Sequence, residues 1–325
     1  MGAVHITIQE YFDTISETVG IKSGILLDRH EIKEILLQEV DEKFITRNDL
    51  QAGIRIRSEV FDEHINIVRR SIGNVDGTLS DTFAITDVLM RLHEHGIDGL
   101  AILKTLVEVH PKSGEPELDP PEIILRVQKK IKASDDNIIA IAIALGKRLF
   151  ASNFISQPER QSWDGGQKLS DLFSCELKPS SQKFLDQKFI DYLASNQEKL
   201  ESIHWRNFER FCAEFFDSFG YRIDLGPGSN DGGVDIRVFD PNDLSAPLIL
   251  IQCKRYSKGN KVQIETVKSF YTDVLFENAK HGMIVTTSSI AAGGKKVCST
   301  RKYPLSFAEN SEVKKWAASL WRFRR

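Results

Sequence analysis

Three residues in the last third of this 325-residue chain have side chains and spacing suited to hydrolysis: Asp235, Gln252 and Lys254. Asp235 closes the run Asn230-Asp231-Gly232-Gly233-Val234-Asp235, whose glycines can take the positive φ angles of a tight turn, and it opens a β-forming segment, Asp235–Phe239. Gln252 and Lys254 stand where the apolar run Leu248-Ile249-Leu250-Ile251 changes abruptly into Gln252-Cys253-Lys254-Arg255-Tyr256. Between the two segments, Asp240-Pro241-Asn242-Asp243 is turn material, so an antiparallel pair of neighbouring strands is expected. Alternation along a strand aims Gln252 and Lys254 at one face. With Asp235 opposite them, a carboxylate, an amide oxygen and an ammonium converge. A hard cation such as Mg²⁺ accepts oxygen ligands, keeps several waters and needs only one or two protein groups beside a phosphate. The lysine would position or help deprotonate an attacking water while the cation stabilises charge building on the phosphate. Each piece alone is ordinary, since buried strands often end in charged residues and Asp-Gly-Gly is common loop chemistry.

The elements that must hold these residues read as helix, strands, helix, strand, strand, helix. Trp205–Phe219 is an amphipathic helix with Phe208, Phe211, Cys212, Phe215 and Phe216 on its apolar side, stopped by Gly220. Tyr221–Leu225 is a short strand, Val262–Ala279 a helix, and His281–Thr287 a buried central strand. Tyr303–Phe307 is an edge strand, and Glu312–Phe323 a closing helix.

Phe208-Glu209 on a helix, then Gly220-Tyr221, Asp231-Gly232-Gly233-Val234-Asp235 and Gln252-Cys253-Lys254-Arg255-Tyr256, resembles the Mrr-like branch of the PD-(D/E)xK nuclease superfamily. The resemblance runs from about Glu201 to the C-terminus. It implies an α/β domain over 199–325, a central mixed sheet flanked by helices. It also implies roles: Asp235 as metal-binding acid, Gln252 in the second-acid position, Lys254 as catalytic lysine and Glu209 as the first-helix glutamate supporting the metal. The backbone carbonyl of Cys253 would help bind metal, and Gln263 and Thr286 fall where the family often keeps polar residues. The superfamily usually has Asp or Glu at the position of Gln252, but this branch commonly carries Gln. An amide offers an oxygen without charge, which implies weaker metal affinity. The implied activity is Mg²⁺-dependent cleavage of double-stranded DNA, with Mn²⁺ as a substitute, in prokaryotic restriction or defence against foreign or modified DNA. Cutting both strands with one site per chain favours a homodimer or higher assembly. Two rival readings share the fold: a structure-selective nuclease such as a Holliday-junction resolvase, and a nuclease fold kept only for binding nucleic acid.

Charge distribution agrees with a phosphate-binding C-terminal part. Residues 201–325 carry 19 Lys and Arg against 14 Asp and Glu, while the rest of the chain carries 24 against 32. Arg255, Lys258 and Lys261 in a basic loop, and Lys295 and Lys296 in a basic turn, are the expected nucleic-acid contacts, with Arg322, Arg324 and Arg325 at the terminus.

Residues 1–198 read as mainly α-helical, with a subdivision near 111–121. The expected helices cover 8–19, 29–44, 48–72, 82–95, 99–109, 122–132, 136–150 and 183–200. Asn74–Gly77 breaks the pattern, 112–121 is a linker, and Asn153–Ser181 is irregular with a turn at Trp163-Asp164-Gly165-Gly166. The helices 82–95 and 99–109 are spaced like a helix-turn-helix, but the second offers one cation and no Arg, Asn or Gln to read bases, so packed core helices are the favoured reading. The 136–150 helix is apolar enough for burial or an interface. Recognition of a DNA site, binding of an activating partner and regulation of the C-terminal activity all remain open for this region. The four scattered cysteines make no zinc spacing and suit a reducing cytoplasm. No signal-peptide profile or twenty-residue apolar run is present, so no membrane role is expected. Met1-Gly2 lacks the Ser or Thr at position 6 that myristoylation favours.

Overall fold

The computed structural model describes residues 2–75, 80–111, 118–153, 165–179, 183–228, 232–257 and 259–322. The expectations at Asp76-Gly77, in most of the 112–121 linker, and at Trp163-Asp164, Asn230-Asp231, Lys258 and Arg324-Arg325 lie outside the described residues.

The elements begin with β1 (Ala3–Thr7), α1 (Ile8–Ser23), β2 (Ile25–Leu26), α2 (Arg29–Glu39), β3 (Gly53–Arg57) and α3 (Ser58–Ser71). Helices α4 (Ser80–Glu94), α5 (Gly99–Val109), α6 (Pro120–Lys130) and α7 (Asp135–Ala151) follow, then β4 (Gln167–Lys168), α8 (Asp171–Ser174) and α9 (Gln187–Ser195). The C-terminal part comprises α10 (Trp205–Asp217), β5 (Arg222–Leu225), β6 (Ile236–Phe239), β7 (Ile249–Lys254) and β8 (Lys261–Val262). It ends with α11 (Ile264–Phe276), β9 (His281–Thr286), β10 (Ser289–Ile290), α12 (Ala292–Arg301), β11 (Leu305–Ala308) and α13 (Asn310–Leu320).

Two compact units emerge, and the chain passes between them more than once. The first comprises 1–22, 42–66 and 75–165. Here β1 pairs antiparallel with β3, from Ala3↔Arg57 to Thr7↔Gly53. Tyr11, Phe12, Ile15, Ile45, Ile56 and Ile65 are buried. The Tyr11 hydroxyl lies 2.8 Å from His64 Nδ1. Helices α4 to α7 bury Ile85, Val88, Ile102, Leu106, Val127, Ile138 and Ile141 in one core. Caps define two of these helices: Asp98 accepts from the Ala101 N–H at 3.0 Å and Ser134 from the Asn137 N–H at 3.4 Å. The inner face of α5 is thus committed to the bundle core.

The pattern read as one helix over 48–72 divides. Ile54 and Ile56 alternate with Arg55 and Arg57, which is the period of a strand, and β1 supplies the hydrogen-bonding partner. The helix proper starts at Ser58. Helix 29–44 stops at Glu39 and a 3₁₀ turn covers Lys43–Thr46. The 183–200 helix narrows to α9, followed by 3₁₀ residues Gln197–Glu201.

The second unit comprises 23–41, 67–74 and 166–325. Its five-stranded mixed sheet runs β11-β9-β7-β6-β5. β11, β9 and β7 are mutually parallel, and β6 runs antiparallel to both β7 and β5. Helix α11 is the crossover from β7 to β9, and its Val267, Phe270 and Val274 pack with Leu250, Ile284 and Leu305. Helix α10 packs across β5, β6 and β7, with Phe208, Phe211 and Cys212 fully buried. Gly282 permits this close layering, because a Cβ there would meet Leu305 and Val274 at 2.5 and 2.6 Å. The Ala291–Lys296 segment, expected as a turn, is the start of helix α12.

Candidate active site

Strands β6 and β7 form the expected antiparallel neighbours, with Ile236 opposite Ile251. Asp235 precedes β6 by one residue, yet its N–H also donates to the Ile251 carbonyl at 3.0 Å. Two consecutive residues therefore face one on β7, which is the geometry of a β-bulge and re-aims the Asp235 side chain. Its Oδ2 accepts the Cys253 N–H at 2.6 Å, so a side chain does what a main-chain carbonyl does elsewhere in the ladder. Asp235 is 7% exposed.

Gln252 is equally buried, and its two amide atoms fare differently. Nε2 donates to the Gly233 carbonyl at 2.7 Å. Oε1 is buried without a hydrogen-bond partner. Gly233 sits at φ +92°, and a Cβ there would lie 2.9 Å from Gln252 Nε2, so the turn needs glycine both for its backbone and for this approach. Lys254 ends β7 half-buried, pinned to β9 by its carbonyl, which accepts the Thr286 hydroxyl at 2.7 Å and the Thr287 N–H at 3.4 Å. No acid among the described residues forms an ion pair with its ammonium.

Glu209 is 5% exposed on α10 and accepts from Arg206 Nη1 at 2.7 Å. Arg206 also donates through Nη2 to the Gly226 carbonyl at 2.6 Å, and the Gly226 N–H donates to the Asp235 carbonyl at 2.8 Å. One buried guanidinium thus links the helix carrying Glu209 to the turn carrying Asp235. Sequence reasoning missed Arg206; its only signal was its place three residues before Glu209 on an amphipathic helix, where i,i+3 side chains meet. It also missed Thr287, whose hydroxyl donates to the Tyr256 carbonyl and accepts the Tyr256 N–H, both at 2.8 Å.

Cys253 lies between these groups. Burial, a hydrogen bond with the Cys212 thiol, and the nearby charges of Asp235 and Glu209 push its thiol well above the ordinary range. A thiol kept protonated is a poor ligand for a hard cation, so Cys253 has its main chain, not its sulfur, to offer. Among the described residues no three His, Cys, Asp or Glu side chains surround a common point. The groups that could hold a cation are therefore oxygen-based and few: Asp235, the Gln252 amide and a main-chain carbonyl, with Glu209 held by Arg206. That set fits a cation that keeps most of its waters, and the orphaned Gln252 Oε1 is the atom such a cation would satisfy.

The expected nucleic-acid contacts divide. Arg255 Nη1 donates to the Glu201 carbonyl at 3.1 Å, and Lys295 pairs with Glu309 at 2.5 Å. Lys261 and Lys296 are exposed, the first on β8 and the second on α12. Gln263 stands at the N-cap position of α11 without a capping hydrogen bond from its side chain, which donates to the Lys261 carbonyl at 3.0 Å.

Comparison with known proteins places this arrangement. A restriction endonuclease family model, the Mrr catalytic domain, matches residues 200–316. An uncharacterized protein, y4cE, of Sinorhizobium fredii (strain NBRC 101917 / NGR234) is 22% identical over 122 residues, 37% of this chain and 31% of that protein's length. Among solved structures, MspJI restriction endonuclease in complex with a 27-mer oligonucleotide is 18% identical with a TM-score of 0.31, covering 60% of this chain and 42% of that one. Restriction endonuclease FokI is 12% identical with a TM-score of 0.30, covering 98% and 68%. Residues 200–316 thus carry a restriction endonuclease domain of the Mrr type, with its mixed sheet flanked by helices.

Proposed function

We propose that this chain is a DNA endonuclease that hydrolyses phosphodiester bonds of double-stranded DNA with a divalent cation, Mg²⁺ or in its place Mn²⁺. The observation that carries the metal-dependent reading is the buried, unpartnered Oε1 of Gln252 beside the Asp235 turn. Leaving such an oxygen unsatisfied costs on the order of 1–3 kcal/mol, a cost with no structural return unless a ligand takes it up. Asp235, Gln252 and the Cys253 carbonyl would hold the cation, with Glu209 orienting its waters. The bound cation would neutralise charge developing on the phosphate. Lys254, without an acidic partner among the described residues, would hold the attacking water against the phosphorus and steady its charge. Arg206 keeps the two acidic residues in register. Lys261 and Lys296, exposed, would meet the phosphate backbone.

On this reading two copies act on the two strands, and residues 1–198 control the target or the activation. The setting would be restriction or anti-phage defence in a prokaryotic cytoplasm. The test is incubation of the purified chain with supercoiled plasmid, methylated and unmethylated, in Mg²⁺ or EDTA. The expected result is metal-dependent nicking or linearisation that drops by at least about two orders of magnitude in Lys254→Ala and Asp235→Ala. Wild-type rates in either variant, with folding unchanged by circular dichroism, would refute the assignment.

A further inference from the structure

Helix α7 has two apolar sides. Ile138, Ile141 and Ala144 are buried in the core it shares with α4, α5 and α6. On the other side Ile139, Ile143 and Leu149 are 42%, 55% and 61% exposed. Ala142 and Gly146 lie exposed between them. At about 100° per residue, Ile139, Ala142, Ile143 and Gly146 share one stripe, with Leu149 at its edge. Single exposed isoleucines need no explanation, but a run along three turns of one helix does.

The stripe complements itself. If two α7 helices lie antiparallel about a two-fold axis passing between Ala142 and Ile143, Ile139 of each comes opposite Gly146 of the other. Gly146 has no side chain and faces open space, so the isoleucine can approach the backbone there. Ile143 of one copy then packs on Ile143 of the other across the axis. Charge agrees with the same arrangement. Asp136 flanks the N-terminal end of the stripe and Lys147 the C-terminal end, on the same side of it. In an antiparallel pair that side of one helix meets the same side of the other, which brings Asp136 within about one turn of the opposite Lys147, twice. A parallel pair would instead set Asp136 level with Asp136 and leave Gly146 facing Gly146. We propose that the outer face of α7 is the surface through which two copies of this chain associate, antiparallel about a two-fold axis. Such an interface is isologous, as closed dimers require.

The inference does not depend on nuclease activity, and its test reads association alone. Sedimentation velocity of the full chain across the micromolar range should show a concentration-dependent dimer. Ile143→Glu should hold it monomeric with an unchanged circular dichroism spectrum, since the side chain is exposed in the single chain. Asp136→Lys and Lys147→Glu should each weaken association several-fold, and the two changes combined should restore it. A wild-type chain that stays monomeric throughout overturns the proposal. So does a dimer that survives Ile143→Glu, because the interface then lies elsewhere. Failure of the charge-exchanged pair to recover association overturns the antiparallel arrangement.

Discussion

Replacing Gln252 by leucine, which has nearly the same volume, separates stability from function at the candidate site. The amide makes one hydrogen bond, Nε2 to the Gly233 carbonyl at 2.7 Å, worth about 1 kcal/mol net. Against that stands Oε1, buried without a partner, which costs on the order of 1–3 kcal/mol. Gln252→Leu gives up the first and removes the second. Without metal, its stability should therefore range from unchanged to about 2 kcal/mol above wild type. That gain is several degrees in melting temperature, at about 2–4 °C per kcal/mol for a unit of this size. Added Mg²⁺ should raise the wild-type midpoint with concentration, as a ligand of the folded state must, and leave the variant's midpoint unmoved. Urea unfolding and thermal melts by circular dichroism, in EDTA and across an Mg²⁺ series, supply the numbers, with plasmid nicking measured in parallel. A variant destabilised by more than about 2 kcal/mol in EDTA would refute the reasoning, because Oε1 would then be satisfied in the native protein. Equal Mg²⁺ shifts in both proteins would remove Gln252 from the metal site.

Arg206→Ala should cost about 3–5 kcal/mol of unfolding free energy, because it removes the guanidinium paired with the buried Glu209 carboxylate and bonded to the Gly226 carbonyl, and a loss below about 1 kcal/mol would show that the pair is dispensable. Burial holds the His64 imidazole below its ordinary value of 6.5, partly opposed by the charges of Glu42 and Glu63. The unfolded chain then takes up the proton first, so this contribution to stability is complete above 6.5 and is lost as pH falls below it. Urea midpoints compared at neutral and mildly acidic pH should show a decline of at most about 1.4 kcal/mol per pH unit from this group, reduced in His64→Gln; an unchanged slope in that variant would place the sensitivity elsewhere.

The restriction-endonuclease-like part of the chain was legible in the sequence because its signals are local. Asn-Asp-Gly-Gly before a β-former, an apolar strand ending in Gln-Cys-Lys, and a phenylalanine-rich amphipathic helix each declare their element and the side chain they present. Periodicity gave the other helices and the long strands over 205–320 but missed α12, and the mixed sheet is the one the family resemblance implied. The N-terminal part was read less well for a physical reason. Gly53–Arg57 is a strand only because β1, some fifty residues earlier, pairs with it, and a partner so distant leaves no mark on a local window.

Within the candidate site the sequence determined which groups are present: a carboxylate, an amide and an ammonium at Asp235, Gln252 and Lys254. Simple alternation would have set Asp235 across the sheet from Gln252. The tertiary structure decided otherwise, because the bulge at Asp235 turns its carboxylate onto the Cys253 N–H. Only the fold made Arg206 the link between Glu209 and the Asp235 turn, through a carbonyl twenty residues along the chain. Burial, likewise, is a property of the packed molecule. The sequence supplies the Gln252 amide, but only the layers around β7 leave its oxygen enclosed and unpartnered, which is what makes it a candidate ligand.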